Sequence, residues 1–183
     1  KAINLDPNYS QAYAALAGVY WEIVLNWWYY YINLDADECR TQAKFYLEKS
    51  MKNPTALSFQ VSSNMYIYYR KHEMAITDAE QAIALDPNDP ECHVTMANAL
   101  VYSGRANESL AYIKNAMRLD PYYPPYYLKI LGLSYFGMDK YKESADSFER
   151  FLERSKEDEV AISFLTASYA YLGKMEKAKT MLA

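Results

Sequence analysis

The sequence is short of several residue types on which metal binding, disulfide bonding and catalysis depend. Its 183 residues include 2 cysteines, 2 histidines and 5 glycines. Cys39 and Cys92 lie far apart and form no CxxC motif, so neither a disulfide framework nor a zinc site is indicated. Isolated thiols are typical of a reducing compartment, and we therefore predict a cytoplasmic location.

Catalytic motifs are also missing. Gly-rich phosphate loops, GxSxG and HExxH do not occur. Neither His72 nor His93 has a partner at the spacing of metal ligands. The sequence therefore predicts a chain that is not an enzyme and has no cofactor.

Positive charge is not concentrated in any stretch. The formal net charge is −4 and the isoelectric point is near 5.3, with no run of five basic residues. Because nucleic-acid binding needs a cluster of Lys and Arg to displace counterions, no nucleic-acid partner is expected.

The apolar stretch Ala12–Ile32 is long enough to be considered as a membrane span. It is interrupted by Glu22 and Asn26, which favours a packed helix running into an aromatic loop instead.

The chain does contain one short phrase three times. Ala-Ile-Asn-Leu-Asp-Pro ends at Pro7, Ala-Ile-Ala-Leu-Asp-Pro at Pro87 and Ala-Met-Arg-Leu-Asp-Pro at Pro121. The last two prolines are 34 residues apart, which is the period of the tetratricopeptide repeat, a pair of antiparallel helices. Small residues recur where the helices should cross, because an approach of about 8–10 Å excludes bulky side chains; they are Ala17, Ala75, Ala97, Gly132 and Ala178.

Across essentially all of its length the chain resembles the tetratricopeptide family. The resemblance is carried by Leu85-Asp-Pro-Asn88, by the spacing of Tyr13, Leu16, Ala17 and Tyr20, and by Gly173 with Ala178. It implies an all-α fold, a right-handed superhelical solenoid of antiparallel helix pairs with about five repeats and incomplete ends.

We expect a single array that can be divided at its prolines and turns. Ser10 and Asp35 are predicted helix N-caps, and repeat 2 matches least well because Ser62 and Ser63 stand where Leu and Gly or Ala are usual. Leu182 is predicted to face inward. The predicted segments are 1–9, the tail of a truncated repeat; 10–53, repeat 1; 54–89, repeat 2; 90–123, repeat 3; 124–157, repeat 4; and 158–183, repeat 5, truncated.

Repeat 1 is longer than the others. Pro7 and Pro87 are 80 residues apart, which is two periods plus 12, and the excess falls in an aromatic insertion at about 25–35. The insertion either folds back and caps its own repeat or forms an interface, including one between two copies of the chain. The aromatic side chains concerned are Trp27, Trp28, Tyr29, Tyr30 and Tyr31.

The predicted binding surface is the concave groove lined by the first helices of the repeats. Side chains not used in packing should point into it, where amides can hydrogen-bond a peptide backbone and aromatic rings supply apolar contact. We therefore predict a protein or peptide partner. The candidate residues are Gln60, Asn64, Tyr68, Glu91, Val94, Asn98, Val101, Tyr102, Lys129, Leu133, Phe136, Ser163 and Tyr171.

Two narrower resemblances bear on the partner. The phrase from Ala116 to Leu128 and the aromatic insertion are similar to repeat arrays C-terminal to bacterial class III adenylate/guanylate cyclase-like proteins, which implies a regulatory module in signalling. Some family members bind peptide carboxylates through a clamp of Lys, Asn and Arg. Asn64 and Asn98 match that clamp, but Gln60 and Val94 stand where its basic residues should be, so that role is not expected here.

Overall fold

The computed structural model describes residues 2–181, and Leu182 lies outside them. Every regular element within this range is a helix. The helices are α1 (Ala2–Leu5), α2 (Ser10–Leu25), α3 (Trp28–Tyr31), α4 (Ala36–Ser50), α5 (Ala56–Tyr68), α6 (His72–Leu85), α7 (Pro90–Tyr102), α8 (Ala106–Leu119), α9 (Tyr126–Phe136), α10 (Tyr141–Arg154), α11 (Glu159–Tyr171) and α12 (Met175–Thr180).

The chain forms two compact units that divide between Asn88 and Asp89. In unit 1, α2 pairs with α4 and α5 pairs with α6, and α5 also contacts α2 and α4. In unit 2 the pairs are α7 with α8, α9 with α10 and α11 with α12, while α8 contacts α9 and α10 contacts α11. The predicted fold of antiparallel helix pairs is confirmed within each unit.

Four helix pairs share one backbone feature at the turn between their helices. A single residue there has positive φ, and these residues recur at intervals of 34 or 35 along the chain. The left-handed region suits glycine because a Cβ is crowded there. Glycine occupies it in two turns and a polar residue in the other two: Arg70 (58°), Gly104 (82°), Asp139 (58°) and Gly173 (71°).

The predicted crossing points are closely packed in both units. Ala17, Ala75 and Ala97 are fully buried. At Gly132 a Cβ would lie 2.8 Å from the Phe148 ring, so the α9–α10 crossing admits no side chain. The prediction that small residues permit close helix approach is therefore confirmed.

Buried hydroxyls reinforce these crossings. In unit 2, Ser109 donates to the carbonyl of Ala97 (2.7 Å) and Ser144 to that of Gly132 (3.0 Å). In unit 1 the donor is on the first helix, since Ser63 donates to the carbonyl of Ala75 (2.8 Å). Ser63, one of the two serines that made repeat 2 a poor match, is thus a crossing-point residue.

The N-cap predictions have mixed outcomes. Asp35 caps α4, and its carboxylate accepts from the amides of Asp37 (2.9 Å) and Glu38 (2.8 Å). Ser10 does not cap α2, because the helix already begins there and Tyr9 precedes it without a side-chain cap. Thr55, which the sequence pattern did not single out, forms a reciprocal capping box with Ser58 on α5.

The apolar stretch of repeat 1 does not continue as one helix. It ends α2 at Leu25, and the left-handed Trp27 (φ 57°) separates α2 from the one-turn α3. Within the described residues, every helix is too short or too polar to cross a bilayer.

Candidate functional site

The first-helix residues of unit 1 are not equally accessible. On α5, Gln60 is buried, Asn64 is half-buried and Tyr68 is half exposed. Gln60 therefore offers little surface to a ligand. Tyr68 lies at the C-terminal end of the helix, with its ring perpendicular to the Trp21 indole (centroids 5.1 Å apart).

On α7 the predicted residues separate into internal and accessible ones. Val94 is only 4% exposed and belongs to the core of unit 2, so the expectation that it stays out of packing is wrong. The reason is that α7 packs against two helices, α8 and α9. Val94, which follows the packing residue His93, is therefore buried as well. Asn98 and Val101 are half-buried, and Tyr102 at the helix end is exposed.

Glu91, also on α7, is occupied by internal partners. Its carboxylate accepts hydrogen bonds from the hydroxyls of Tyr126 and of Tyr127, the latter at 3.0 Å. Burial, together with the nearby Glu91 carboxylate, raises the pKa of both phenols well above their usual range, so both stay protonated donors. This contact joins the starts of α7 and α9 and was not foreseen, although the three residues lie about one repeat apart.

On α9 two of the three predicted residues have structural roles. Leu133 is 7% exposed and packs in the core of unit 2, again contrary to the expectation. Lys129 forms an ion pair with Asp158 (Nζ–Oδ2 2.9 Å), while the other carboxylate oxygen of Asp158 caps α11 by accepting from the Ala161 amide. The remaining residue, Phe136, is half-buried at the helix end.

Phe136 and Tyr171 meet in an aromatic cluster, with ring centroids 6.0 Å apart. Phe164 contacts Phe136 edge to face (4.9 Å), and Tyr141 stacks on Tyr171 at 4.3 Å with an interplanar angle of 6°. The Tyr141 hydroxyl donates to Asp139 (2.5 Å), a bond that raises its pKa to about 12. Tyr171 is 66% exposed, so one face of the cluster is available for contact.

Tyr68, Tyr102 and Tyr171 are equivalent positions. Each lies two residues before the left-handed residue of its turn, and each is exposed at the end of a first helix. Ser163, the other predicted residue on α11, is exposed on the same helix as Tyr171.

In the α9–α10 pair the equivalent position is Gly137. A Cβ there would lie 2.8 Å from the Cβ of Ala106. Close packing against the start of α8 therefore excludes a tyrosine at this turn.

The aromatic insertion contributes one ring to the core of unit 1 and leaves the others exposed. Tyr29 packs against that core. Trp27 is 68% exposed, Tyr31 is 81% exposed, and Trp28 and Tyr30 are also exposed. Trp27 stacks with Tyr29, and Tyr30 meets Tyr31 edge to face.

The described residues contain no group of three or more His, Cys, Asp or Glu side chains that could hold a metal ion. His93 lies in unit 2, where its Nε2 is 3.2 Å from the side-chain amide of Asn115. Cys39 and Cys92 are buried and form no disulfide, and burial raises the pKa of the Cys39 thiol above its ordinary value.

Comparisons with known proteins identify the fold. No protein-family model matches the chain. Tetratricopeptide repeat protein 13 of Homo sapiens is 26% identical over 106 residues, which are 58% of this chain but only 12% of that protein. The matched segment thus spans only a small part of that relative's length.

Solved structures with this fold cover most of the chain. PilW, a type IV pilus biogenesis factor, has a TM-score of 0.71 at 14% identity, covering 98% of this chain and 78% of its own. The first tetratricopeptide domain of Spaghetti (RPAP3), bound to the HSP90 peptide SRMEEVD, has a TM-score of 0.58 at 22% identity, covering 65% of this chain and 94% of its own. The chain therefore has the tetratricopeptide-repeat fold.

Proposed function

We propose that this chain is a non-catalytic scaffold that binds a peptide or a partner domain through its first-helix surface. The observation that carries the proposal is the set of exposed aromatic side chains at equivalent helix ends, namely Tyr68 in unit 1 and Tyr102 and Tyr171 in unit 2. Exposed tyrosines supply contact area at little cost in side-chain entropy. A domain of the same fold bound to an HSP90 peptide supports a peptide as the partner.

The surface proposed in unit 2 is smaller than the sequence suggested. It comprises Asn98, Val101 and Tyr102 on α7, Phe136 on α9, and Ser163 and Tyr171 on α11. Val94 and Leu133 are left out because they pack in the core, and Glu91 and Lys129 because carboxylate–phenol and ion-pair contacts occupy them. On α5 of unit 1, Asn64 and Tyr68 are the proposed contacts.

A peptide selection on the full chain tests this proposal. Peptides selected from a random displayed library should bind the variants Asn98→Ala/Tyr102→Ala and Tyr171→Ala at least about tenfold more weakly, because hot-spot aromatics contribute about 2 kcal/mol or more. Tyr122→Ala is the matched control, since Tyr122 is 93% exposed and lies outside the first helices. Selected peptides that bind all of these variants equally would contradict the proposal.

A second candidate function is self-association through the aromatic insertion, as a regulatory or oligomerisation segment of a cyclase-like signalling protein in the cytoplasm. The exposed rings of Trp27, Trp28, Tyr30 and Tyr31 favour it, because contiguous exposed aromatic side chains commonly mark interfaces. The cyclase context and the compartment rest on the sequence alone.

Sedimentation velocity over a range of concentrations tests self-association. The wild type should sediment faster as its concentration rises, and Trp27→Ala/Trp28→Ala should abolish that dependence while Tyr122→Ala retains it. A wild type that stays monomeric at all concentrations would rule this candidate out.

A further inference from the structure

A cavity opens in unit 1 beside Ser62, one of the two serines that depart from the repeat pattern. Its volume is about 430 Å³, within the range of about 300–1,000 Å³ found for binding pockets. The buried side chains of Ser62 and Met65 line it together with Leu47 of α4 and the exposed Lys44 and Lys71.

The identity of residue 62 accounts for this space. The corresponding first-helix positions carry large side chains, and Met96, Leu131 and Leu165 are buried there in unit 2. Serine at this position leaves part of the volume between α4 and α5 unfilled. The Ser62 hydroxyl also donates a hydrogen bond to the Asp78 side chain on α6. Ser62 therefore does not fill the space with apolar atoms.

The cavity has an apolar lining and two positive charges. Lys44 Nζ lies 5.4 Å from the centroid of the Tyr69 ring, and Lys71 Nζ lies 5.8 Å from that of Tyr66; both rings line the cavity. In the described part of the chain neither ammonium lies within 4.0 Å of a carboxylate oxygen. Glu48 is the one acidic residue in the lining, so the formal charge of the lining is positive.

We propose that this cavity binds a peptide segment in which an acidic residue adjoins a large apolar side chain. The apolar side chain packs against Leu47 and Met65, where it replaces the side chain that Ser62 lacks. The carboxylate is placed beside the ammonium groups of Lys44 and Lys71, which are already oriented over tyrosine faces. This inference rests on the proposed peptide-binding function and assigns it a site separate from the first-helix surface of unit 2.

Two-dimensional ¹H–¹⁵N NMR titration of the full chain tests the proposal. The probe is the acetylated and amidated peptide Gly-Glu-Phe-Glu-Gly, and its neutral match replaces both Glu by Gln. The acidic peptide should shift the amide signals of Leu47, Ser62 and Met65, and the neutral peptide should bind at least about tenfold more weakly.

Variants separate the cavity from other sites. Ser62→Leu fills the cavity and should abolish the shifts, whereas Ser62→Ala keeps it open and should retain them. Lys44→Gln/Lys71→Gln should weaken acidic-peptide binding to the level of the neutral peptide. Shifts that persist in a folded Ser62→Leu variant, or equal binding of the two peptides, would overturn the proposal.

The same spectra distinguish this failure from failure of the proposed function. Shifts confined to residues such as Asn98 and Tyr102 would overturn the cavity site and support the first-helix surface. An absence of shifts anywhere would overturn the cavity site. The first-helix surface would then be tested independently by the peptide selection described above.

Discussion

The α5–α6 crossing of unit 1 and the α7–α8 crossing of unit 2 contain the same buried hydrogen bond, with the donor and acceptor helices exchanged. In unit 2, Ser109 on the second helix α8 donates to the carbonyl of Ala97 on the first helix α7. In unit 1, Ser63 on the first helix α5 donates to the carbonyl of Ala75 on the second helix α6. Both of these crossings combine a small residue with a serine, and either helix can supply the serine.

This exchange shows what a crossing requires. A helical carbonyl has a second lone pair, so it can accept a hydroxyl without losing its bond within the helix. Unit 2 extends the contact to the next helix pair, because Ser109 also lies 2.8 Å from Ser134 and Ser144 lies 3.2 Å from Ser168. The α7–α8 and α9–α10 crossings of unit 2 are therefore expected to be more sensitive to substitution than the α5–α6 crossing of unit 1.

The largest expected difference concerns two helical glycines. In unit 2, Gly132→Ala would place a Cβ 2.8 Å from the fully buried Phe148 ring and should lower the free energy of unfolding by about 1–3 kcal/mol. In unit 1, Gly18→Ala meets only Val61 at 3.4 Å and should raise it by up to about 1 kcal/mol through helix propensity.

Urea unfolding measures both changes. All three tryptophans lie in residues 1–88, so their fluorescence reports unit 1, and native-state hydrogen exchange reports unit 2. If the two alanine variants changed stability in the same direction, the difference in crossing geometry would be contradicted.

The serines come next in size. Ser109→Ala removes bonds to both Ala97 and Ser134 and should cost about 1–2 kcal/mol, whereas Ser63→Ala removes the bond to Ala75 and should cost about 1 kcal/mol. The same unfolding measurements apply. Equal losses would mean that the Ser109–Ser134 contact contributes nothing.

Exchanging the donor sharpens this comparison. In the double variant Ser63→Ala/Ala75→Ser, the hydroxyl moves to the second helix, as in unit 2. The double variant should recover most of the stability lost in Ser63→Ala. A double variant less stable than Ser63→Ala would show that the unit 1 crossing cannot accommodate the unit 2 arrangement.

The turns offer a third comparison. Gly104 in unit 2 has φ of 82°, and a Cβ added there would meet no atom within 4 Å. Gly104→Ala therefore tests backbone strain alone and should cost about 1 kcal/mol. Arg70 in unit 1 has φ of 58°, so Arg70→Gly should be stabilising by a similar amount. Thermal unfolding of both variants would show opposite shifts in Tm, and a destabilising Arg70→Gly would contradict this account.

The smallest effects should appear in the pH dependence of stability. Burial raises the pKa of the Asp78 carboxyl in unit 1, although the bond from Ser62 partly offsets it. The folded state therefore holds this proton more tightly than the unfolded chain. Charged Asp78 is destabilising at neutral pH. This penalty decreases as the pH falls through the raised pKa of the folded state, and it is gone below the unfolded pKa of about 3.9. Asp78→Asn should thus be more stable than wild type at pH 7 and equal to it near pH 3.

In unit 2 the pH dependence of stability that Glu108 contributes should have the opposite sign. The hydrogen bond from Arg105 lowers the pKa of this carboxyl, so its stabilising contribution is present above the unfolded pKa and is lost as the pH falls through the folded value. Glu108→Gln should be slightly less stable than wild type at pH 7, and the difference should vanish in acid. Urea unfolding at several pH values would detect either slope, and matching slopes would contradict the assignment.

Much of the architecture could be predicted because it is repeated. The spacing of Pro87 and Pro121 and the small residues Ala75 and Ala97 predicted paired helices and their crossings correctly. The binding surface was harder to predict. Val94 and Leu133 follow the packing residues His93 and Gly132 directly, and a single amphipathic helix would leave such neighbours partly free. In unit 2, however, the first helices also contact each other, and Val94 and Leu133 are buried in the core.

By itself the sequence determined the helical class, the period and the crossing points, because helix periodicity and the need for small side chains at close contacts are local requirements. Only the tertiary structure decided which polar groups are occupied and where space remains. Glu91 meets Tyr126 and Tyr127 through contacts about one repeat apart in sequence, and the cavity beside Ser62 depends on what α4 and α5 leave unfilled. Such contacts depend on the juxtaposition of different helices, which no local pattern specifies.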